Sequence, residues 1–392
     1  LLEATRLSDS KTEKEKLTGE KICWEDYLEE AVDPDEQSEF NGSVRVLIVD
    51  DSPTMCKILT NILTVKEDIE VVGTAQNGEE ALAKIDELKP DVVTLDVNMP
   101  IMDGSSTLKH IMIKKPCPVI IISSIGNQSQ KNILDFLHLG AVDFVSKPEK
   151  VEDMTGQQRK IIEKIRTAAT AKIGNFTRGK DLKVMAQVQN KTKDQLPCKR
   201  LVVINSGPGG FTELVNTIHL LPSDMNASVL VLHEMPLEFV SLLSGYLNDR
   251  TVITVLPIQK EVQLLNGICY IGTTCTRLKL NNSLENYTVS VEATRSSDNR
   301  ADHHVNDFLH SVYNSFDGPI KVVLLSGATV DNLDGLRCIK EKNGQIIVQP
   351  LASSMVADQL EKTIQAGLVD READAEEIIN QIRNCENDCI SF

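Results

Sequence analysis

Three carboxylates, a hydroxyl and an ammonium stand at the ends of apolar runs in the first half of the chain. Asp50 and Asp51 close Val44–Val49, and Asp96 closes Asp91–Leu95. Ser123 and Ser124 follow Pro118–Ile122, and Lys147-Pro148 comes at once after Ala141–Val145. Carboxylate oxygens suit Mg²⁺, which keeps several waters and bridges to phosphate oxygens. A carboxylate can also accept a phosphoryl group while a cation and a lysine neutralise charge in a loose transition state. A lone aspartate at such a place is ordinarily a helix cap or a solvated loop residue. The whole set, in this order at successive run ends, points to phosphoryl transfer onto one of these carboxylates.

The runs themselves must position these groups. Val44–Val49, Glu70–Ala75, Asp91–Leu95, Pro118–Ile122 and Ala141–Val145 read as strands, continuous in apolar residues and not strictly alternating. Helical patterns lie between them, such as Thr54–Val65 and Glu79–Leu88, the latter entered through Asn77-Gly78. That alternation predicts a parallel sheet covered on both faces. Five repeats over residues 44–150 make a flavodoxin-like doubly wound domain, whose ligands bind beyond the carboxyl ends of the strands.

A second alternating block occupies residues 199–384. Its strands are expected at Leu201–Ile204, Ser228–Leu232, Thr251–Leu256, Ile268–Gly272, Val322–Leu325 and Gln345–Val348. This is a second doubly wound α/β domain. It opens with Leu201-Val202-Val203-Ile204, then Asn205-Ser206-Gly207-Pro208-Gly209-Gly210. A strand, a glycine-rich turn and a helix aim backbone N–H groups at an anion or oxyanion. Between the blocks, residues 151–198 read as a closing amphipathic helix, with Ile161, Ile162, Ile165 and Ala168 on one stripe, and a polar linker from Lys172 to Pro197. Residues 1–43 read as an acidic, disordered arm holding the only tryptophan, Trp24, and residues 385–392 as a tail.

Composition excludes several functions. A formal net charge of −16 argues against nucleic-acid binding, which needs a basic face. No apolar run approaches the roughly 20 residues that span a bilayer, and no leader pattern is evident, so membrane insertion is not expected and the location is expected to be cytoplasmic. The nine cysteines show no CxxC pair, which suggests reduced thiols and no structural metal.

The first block resembles the two-component receiver family, on Val49-Asp50-Asp51-Ser52, Asp96-Val97-Asn98-Met99-Pro100, Met102-Asp103-Gly104, Ser123 and Lys147-Pro148. The resemblance implies that a histidine kinase phosphorylates Asp96. It further implies Mg²⁺ held by Asp50, Asp51, Asp96 and the Asn98 backbone carbonyl, a switch hydroxyl at Ser123, a phosphate-contacting Lys147 and an aromatic switch residue at Phe144. The second block carries His233-Glu234-Met235-Pro236, Ser326-Gly327, Asp331, Gly335-Leu336 and Ala366–Asp370 after the glycine-rich turn. Behind a receiver, this order resembles the chemotaxis protein-glutamate methylesterase (CheB-type) family. The resemblance implies a Ser-His-Asp triad acting on methyl-accepting chemoreceptors, covered by the receiver until phosphorylation.

The triad does not transfer intact. The family nucleophile stands two positions before the Gly-Gly pair, where this chain has Gly207. Its histidine directly precedes Met-Pro, where this chain has Glu234. Asp331 alone is retained. Ser206 and His233 each lie one residue early, and a one-residue offset on a strand turns a side chain to the other face. The sequence therefore predicts a response regulator whose esterase-fold domain docks on receptors or signalling partners with hydrolysis lost or severely impaired. The alternative is an active methylesterase/glutamine deamidase using Ser206, His233 and Asp331. On the first reading, restoring Ser at 207 and His at 234 recovers hydrolysis, provided the local backbone is family-like.

Overall fold

A computed structural model describes residues 42–124, 127–148, 154–176, 196–283, 286–292, 304–330 and 332–383. The arm at 1–41, most of the polar stretch, Asp331 and the tail lie outside the described residues, as do the expectations placed on them.

The first domain runs β1 (Val44–Val49), α1 (Pro53–Thr64), β2 (Ile69–Ala75), α2 (Gly78–Leu88), β3 (Val92–Asp96), α3 (Gly104–Lys114), β4 (Val119–Ser123), α4 (Asn127–His138), β5 (Asp143–Ser146) and α5 (Met154–Ala169). Its strands are parallel in the order β2-β1-β3-β4-β5. This is the flavodoxin-like arrangement read from the sequence. Strands β3 and β4 are buried throughout, as strands with helices on both faces must be. Side chains set the helix starts. Ser52, Asn77 and Asp103 accept from Met55 N, Glu80 N and Ser106 N, each satisfying an otherwise orphaned N–H.

The second domain runs β6 (Leu201–Ser206), α6 (Phe211–His219), β7 (Ser228–His233), α7 (Val240–Asn248), β8 (Thr254–Pro257), β9 (Val262–Gln263), β10 (Ile268–Thr273), β11 (Leu278–Ser283) and β12 (Asn286–Val291). It continues through α8 (Val305–Ser315), β13 (Ile320–Leu324), α9 (Asp334–Glu341), β14 (Gln345–Val348), α10 (Asp358–Gln365), β15 (Arg371–Glu372) and α11 (Ala375–Arg383). A parallel sheet of order β15-β14-β13-β6-β7-β10-β8 forms the expected doubly wound core. The chain leaves β6 in one direction and returns through β13 in the other. The turn after β6 therefore sits at the switch point, where such sheets bind ligands.

Three expectations need correction. Strand β8 begins at Thr254 and not at Thr251, whose hydroxyl instead donates to Ile253 O at 3.1 Å. A separate antiparallel sheet of order β11-β12-β9 is present, although no strand was expected between 278 and 291. Leu278, Leu280, Tyr287 and Val289 bury one of its faces. The start of the polar linker is fastened down: Lys172 N donates to Met355 O at 2.8 Å, and Asn175 Nδ2 donates to Ser354 O at 2.8 Å.

One apolar layer is shared by the two domains. Val202 and Ile204 of β6, Val229 and Val231 of β7, and Phe211, Phe239 and Leu243 lie in one contiguous cluster with Ile133, Leu134, Leu137 and Phe144 of the first domain. Leu201, Val203, Leu230 and Leu232 face the other way, with Tyr270, Phe308 and Phe316. Among the described residues no helix is long and apolar enough to cross a membrane.

Candidate phosphoacceptor site and effector edge

Asp50, Asp51 and Asp96 stand at the carboxyl ends of β1 and β3, with carboxylate oxygens within 4.8 Å of one another. The Lys147 ammonium lies 2.8 Å from Asp50 Oδ2 and 2.9 Å from Asp96 Oδ2. Its backbone is placed by a bond from Lys147 N to Ser123 O at 3.0 Å. Ser52 N donates to Asp50 Oδ1 at 2.9 Å, and Val97 N to Asp96 Oδ1 at 2.8 Å. Gly104 is required beneath the site, because a Cβ there would come within 2.4 Å of Asp96 O.

Burial pushes Asp96 above the ordinary carboxylate value, against the pull of Lys147. Burial alone would lower Lys147, but its contacts with the Asp50 and Asp96 carboxylates carry it upward. Asp50 Oδ2 is buried and meets the ammonium as an ion pair without making a well-angled hydrogen bond. Three hard oxygen donors, one of them under-satisfied, form a set that suits a small divalent cation. Ser123 is buried at the end of β4, and Asn98 is exposed. The sequence-predicted groups Asp50, Asp51, Asp96, Ser123 and Lys147 thus gather at one edge of the sheet.

Phe144 does not face solvent. Its ring centroid lies 4.7 Å from that of Phe239 in the second domain. Next to it, Val142 O accepts from Gly209 N at 2.7 Å, so the first domain covers the glycine-rich turn. Gly209 adopts φ +70°, a left-handed conformation that side chains resist. Lys164 of α5 pairs with Asp143 and lies 3.3 Å from Glu234 Oε1 across the same boundary.

The alternation of β6 and β7 decides where the candidate triad residues point. Ser206 and His233 are partners in register, and both share the face of Ile204 and Val231. They are 0% and 3% exposed, beneath Phe211, whose ring lies 6.1 Å from the imidazole. Neither Ser206 Oγ nor His233 Nδ1 has a hydrogen-bond partner, so no nucleophile–base bond joins them. Burial pushes His233 down to about 4. A Cβ built on Gly207 would lie 3.6 Å from Glu234 Oε2, so positions 207 and 234 are the pair that face each other. The same Cβ would lie 2.1 Å from Gly327 O. A backbone carbonyl therefore occupies the space that a side chain at 207 would need, and the reversion is expected not to restore hydrolysis.

Two family models divide the chain. The response regulator receiver domain matches residues 46–159, and the CheB methylesterase matches residues 202–382. A protein-glutamate methylesterase/protein-glutamine glutaminase of Archaeoglobus fulgidus is 34% identical over 331 residues, covering 83% of this chain and 93% of the relative. The chain belongs to the CheB family. CheB relatives of the same name from Syntrophomonas wolfei and Bacillus licheniformis are 32% and 31% identical, covering 98% and 93% of those proteins.

Within this CheB chain the three carboxylates and the lysine read from the sequence stand together at one sheet edge. Sequence reasoning missed the contacts that join receiver and effector: Phe239 against Phe144, and Lys164 with Glu234. The sequence alone places Glu234 only at the position of the family's histidine. A buried cation on an otherwise apolar helix stripe, such as Lys164 between Ile162 and Ile165, was the available signal.

Proposed function

We propose that this chain is a chemotaxis-type response regulator in which phosphorylation of Asp96 controls the exposure of a CheB-like effector whose ester hydrolysis is lost or severely impaired. The observation that carries this reading is the pair at 207 and 234. Gly207 offers no nucleophile, its Cβ direction is closed by the Gly327 carbonyl, and Glu234 is engaged by Lys164.

A histidine kinase is the expected phosphate source for Asp96. Asp50, Asp51 and Asp96, with the Asn98 carbonyl, would hold Mg²⁺, which when bound lowers the charge against which the phosphoryl group moves. Lys147 holds the Asp96 carboxylate in place and meets the incoming phosphate. Ser123 and Phe144 then report the change to the receiver face that touches Phe239 and Gly209. The effector acts in the cytoplasm on methyl-accepting chemoreceptors or their signalling partners, through binding.

A second reading is hydrolysis of glutamyl methyl esters, or deamidation of glutamine, by Ser206, His233 and Asp331. The names of the relatives favour it, and so does the in-register pairing of Ser206 with His233. Against it stand the burial of both side chains and the absent bond between them.

The experiment is methanol release from methylated receptor membranes by the full chain, with and without beryllofluoride and Mg²⁺, alongside co-sedimentation with those membranes. Beryllofluoride-dependent binding without methanol release is expected. Turnover by the wild type that Ser206→Ala abolishes would establish the second reading instead.

A further inference from the structure

We infer that Asp143, Lys164 and Glu234 form a buried ionic latch that fastens the receiver to the effector, so that the position of the family's histidine serves domain docking. The inference goes beyond the proposed function. It concerns the docked form alone, and it stands whether or not an ester is hydrolysed.

Each group comes from a different element. Asp143 opens β5, Lys164 lies on α5, and Glu234 follows β7. The three side chains are only 7%, 19% and 14% exposed. An ammonium removed from water needs close compensation, and taking away one partner leaves an uncompensated charge. Within the receiver Asp143 supplies that compensation. Glu234 is the effector's contribution, with Oε1 3.3 Å from Lys164 Nζ. Burial alone would push the lysine down, yet the attraction of Asp143 and then Glu234 carries it above its ordinary value. A histidine at 234 could not do this, being neutral or of the same sign as Lys164.

The latch is also tied to parts that matter in each domain. Asp143 Oδ1 accepts from Phe144 N at 2.7 Å, on the strand that leads to Lys147. Glu234 N donates to Ser206 O at 3.1 Å, which fixes the carboxylate's backbone to the end of β6. Loss of the glutamate therefore loosens one specific boundary, that between β5 and the turn after β6.

The test uses amide hydrogen exchange on the full, unphosphorylated chain. The reporter is Gly209 N, which is bonded across the boundary to Val142 O, and the amides of β1 serve as the internal standard. Glu234→Gln keeps the volume and removes the charge, and should speed exchange at Gly209 by about tenfold or more. Lys164→Met should do the same, and the double variant should be no faster than the faster single. The latch is refuted if Glu234→Gln leaves Gly209 within about twofold of wild type, or if the two single effects multiply. Should Lys164→Met be too unstable to read, Glu234→Ala decides the matter beside Glu234→Gln. A latch requires both to loosen Gly209 alike, whereas mere packing requires that only the alanine does.

Discussion

Gly207→Ala is the smallest change that asks whether the nucleophile position is closed. The new Cβ would lie 2.1 Å from Gly327 O and 3.0 Å from Gly327 C. Carbon–oxygen contacts settle near 3.3–3.6 Å, so the carbonyl must retreat by about 1.2 Å. It is poorly placed to do so. Gly327 N donates to Val356 O at 2.9 Å, and Gly207 N donates to Ser326 O at 3.2 Å. Ser326 N donates to Gln349 Oε1 at 2.8 Å, and Ser326 Oγ accepts from Val356 N at 3.0 Å. Overpacking of this kind costs about 1–3 kcal/mol, and a strained hydrogen bond in the turn about 1 kcal/mol more. A loss of about 2 kcal/mol corresponds to roughly 4–8 °C in Tm for a domain of this size. Thermal unfolding of the single variant and methanol release by Gly207→Ser with Glu234→His are the two measurements. The expected result is a lowered Tm and no recovered hydrolysis. An unchanged Tm, or a reverted chain that releases methanol, would refute the steric argument.

Asp96→Asn should abolish labelling by acetyl phosphate in Mg²⁺, while Lys147→Ala should still be labelled yet show no faster exchange at Gly209 with beryllofluoride. Labelling of the Asp96→Asn chain would remove Asp96 from its role. Phe144→Ala and Phe239→Ala should each cost about 3–5 kcal/mol, with a coupling of about 1 kcal/mol in a double-mutant cycle read by urea unfolding. Strict additivity would show that the two rings do not support each other. His233 makes stability depend on pH. Its folded value is depressed from 6.5 to about 4, so between those values the unfolded chain binds the extra proton and stability falls as pH drops. The loss amounts to at most about 3 kcal/mol, and His233→Gln should flatten the profile in that window. A profile unchanged by the substitution would show that the imidazole is not held neutral.

The receiver fold was legible because its candidate site groups punctuate its strands. Asp50, Asp96, Ser123 and Lys147 each follow a run that is buried on both faces, so run ends and site residues are found together. The register of Ser206 and His233 was legible for a related reason: side-chain alternation is fixed once a strand is located. The sheet built from β9, β11 and β12 was not. Leu278-Lys279-Leu280-Asn281-Asn282 alternates weakly and ends in residues common in turns, so its two leucines read as loop. Nor could the latch be seen. Asp143 and Lys164 lie 21 residues apart within one domain, and only docking of the second brings them Glu234, 70 residues from Lys164. Local pattern carries no record of that.

The shared apolar layer has a consequence for the chain as a physical object. Leu134, Leu137 and Phe144 on one side and Phe211 and Phe239 on the other complete each other's interior. Each half, produced alone, would carry a wet oily surface and tend to self-associate. In the whole chain that surface comes into being only while the halves are apart. On the proposed reading phosphorylation governs a stickiness that can be switched on and off, and the lifetime of the parted form would set how long a passing protein can adhere to it.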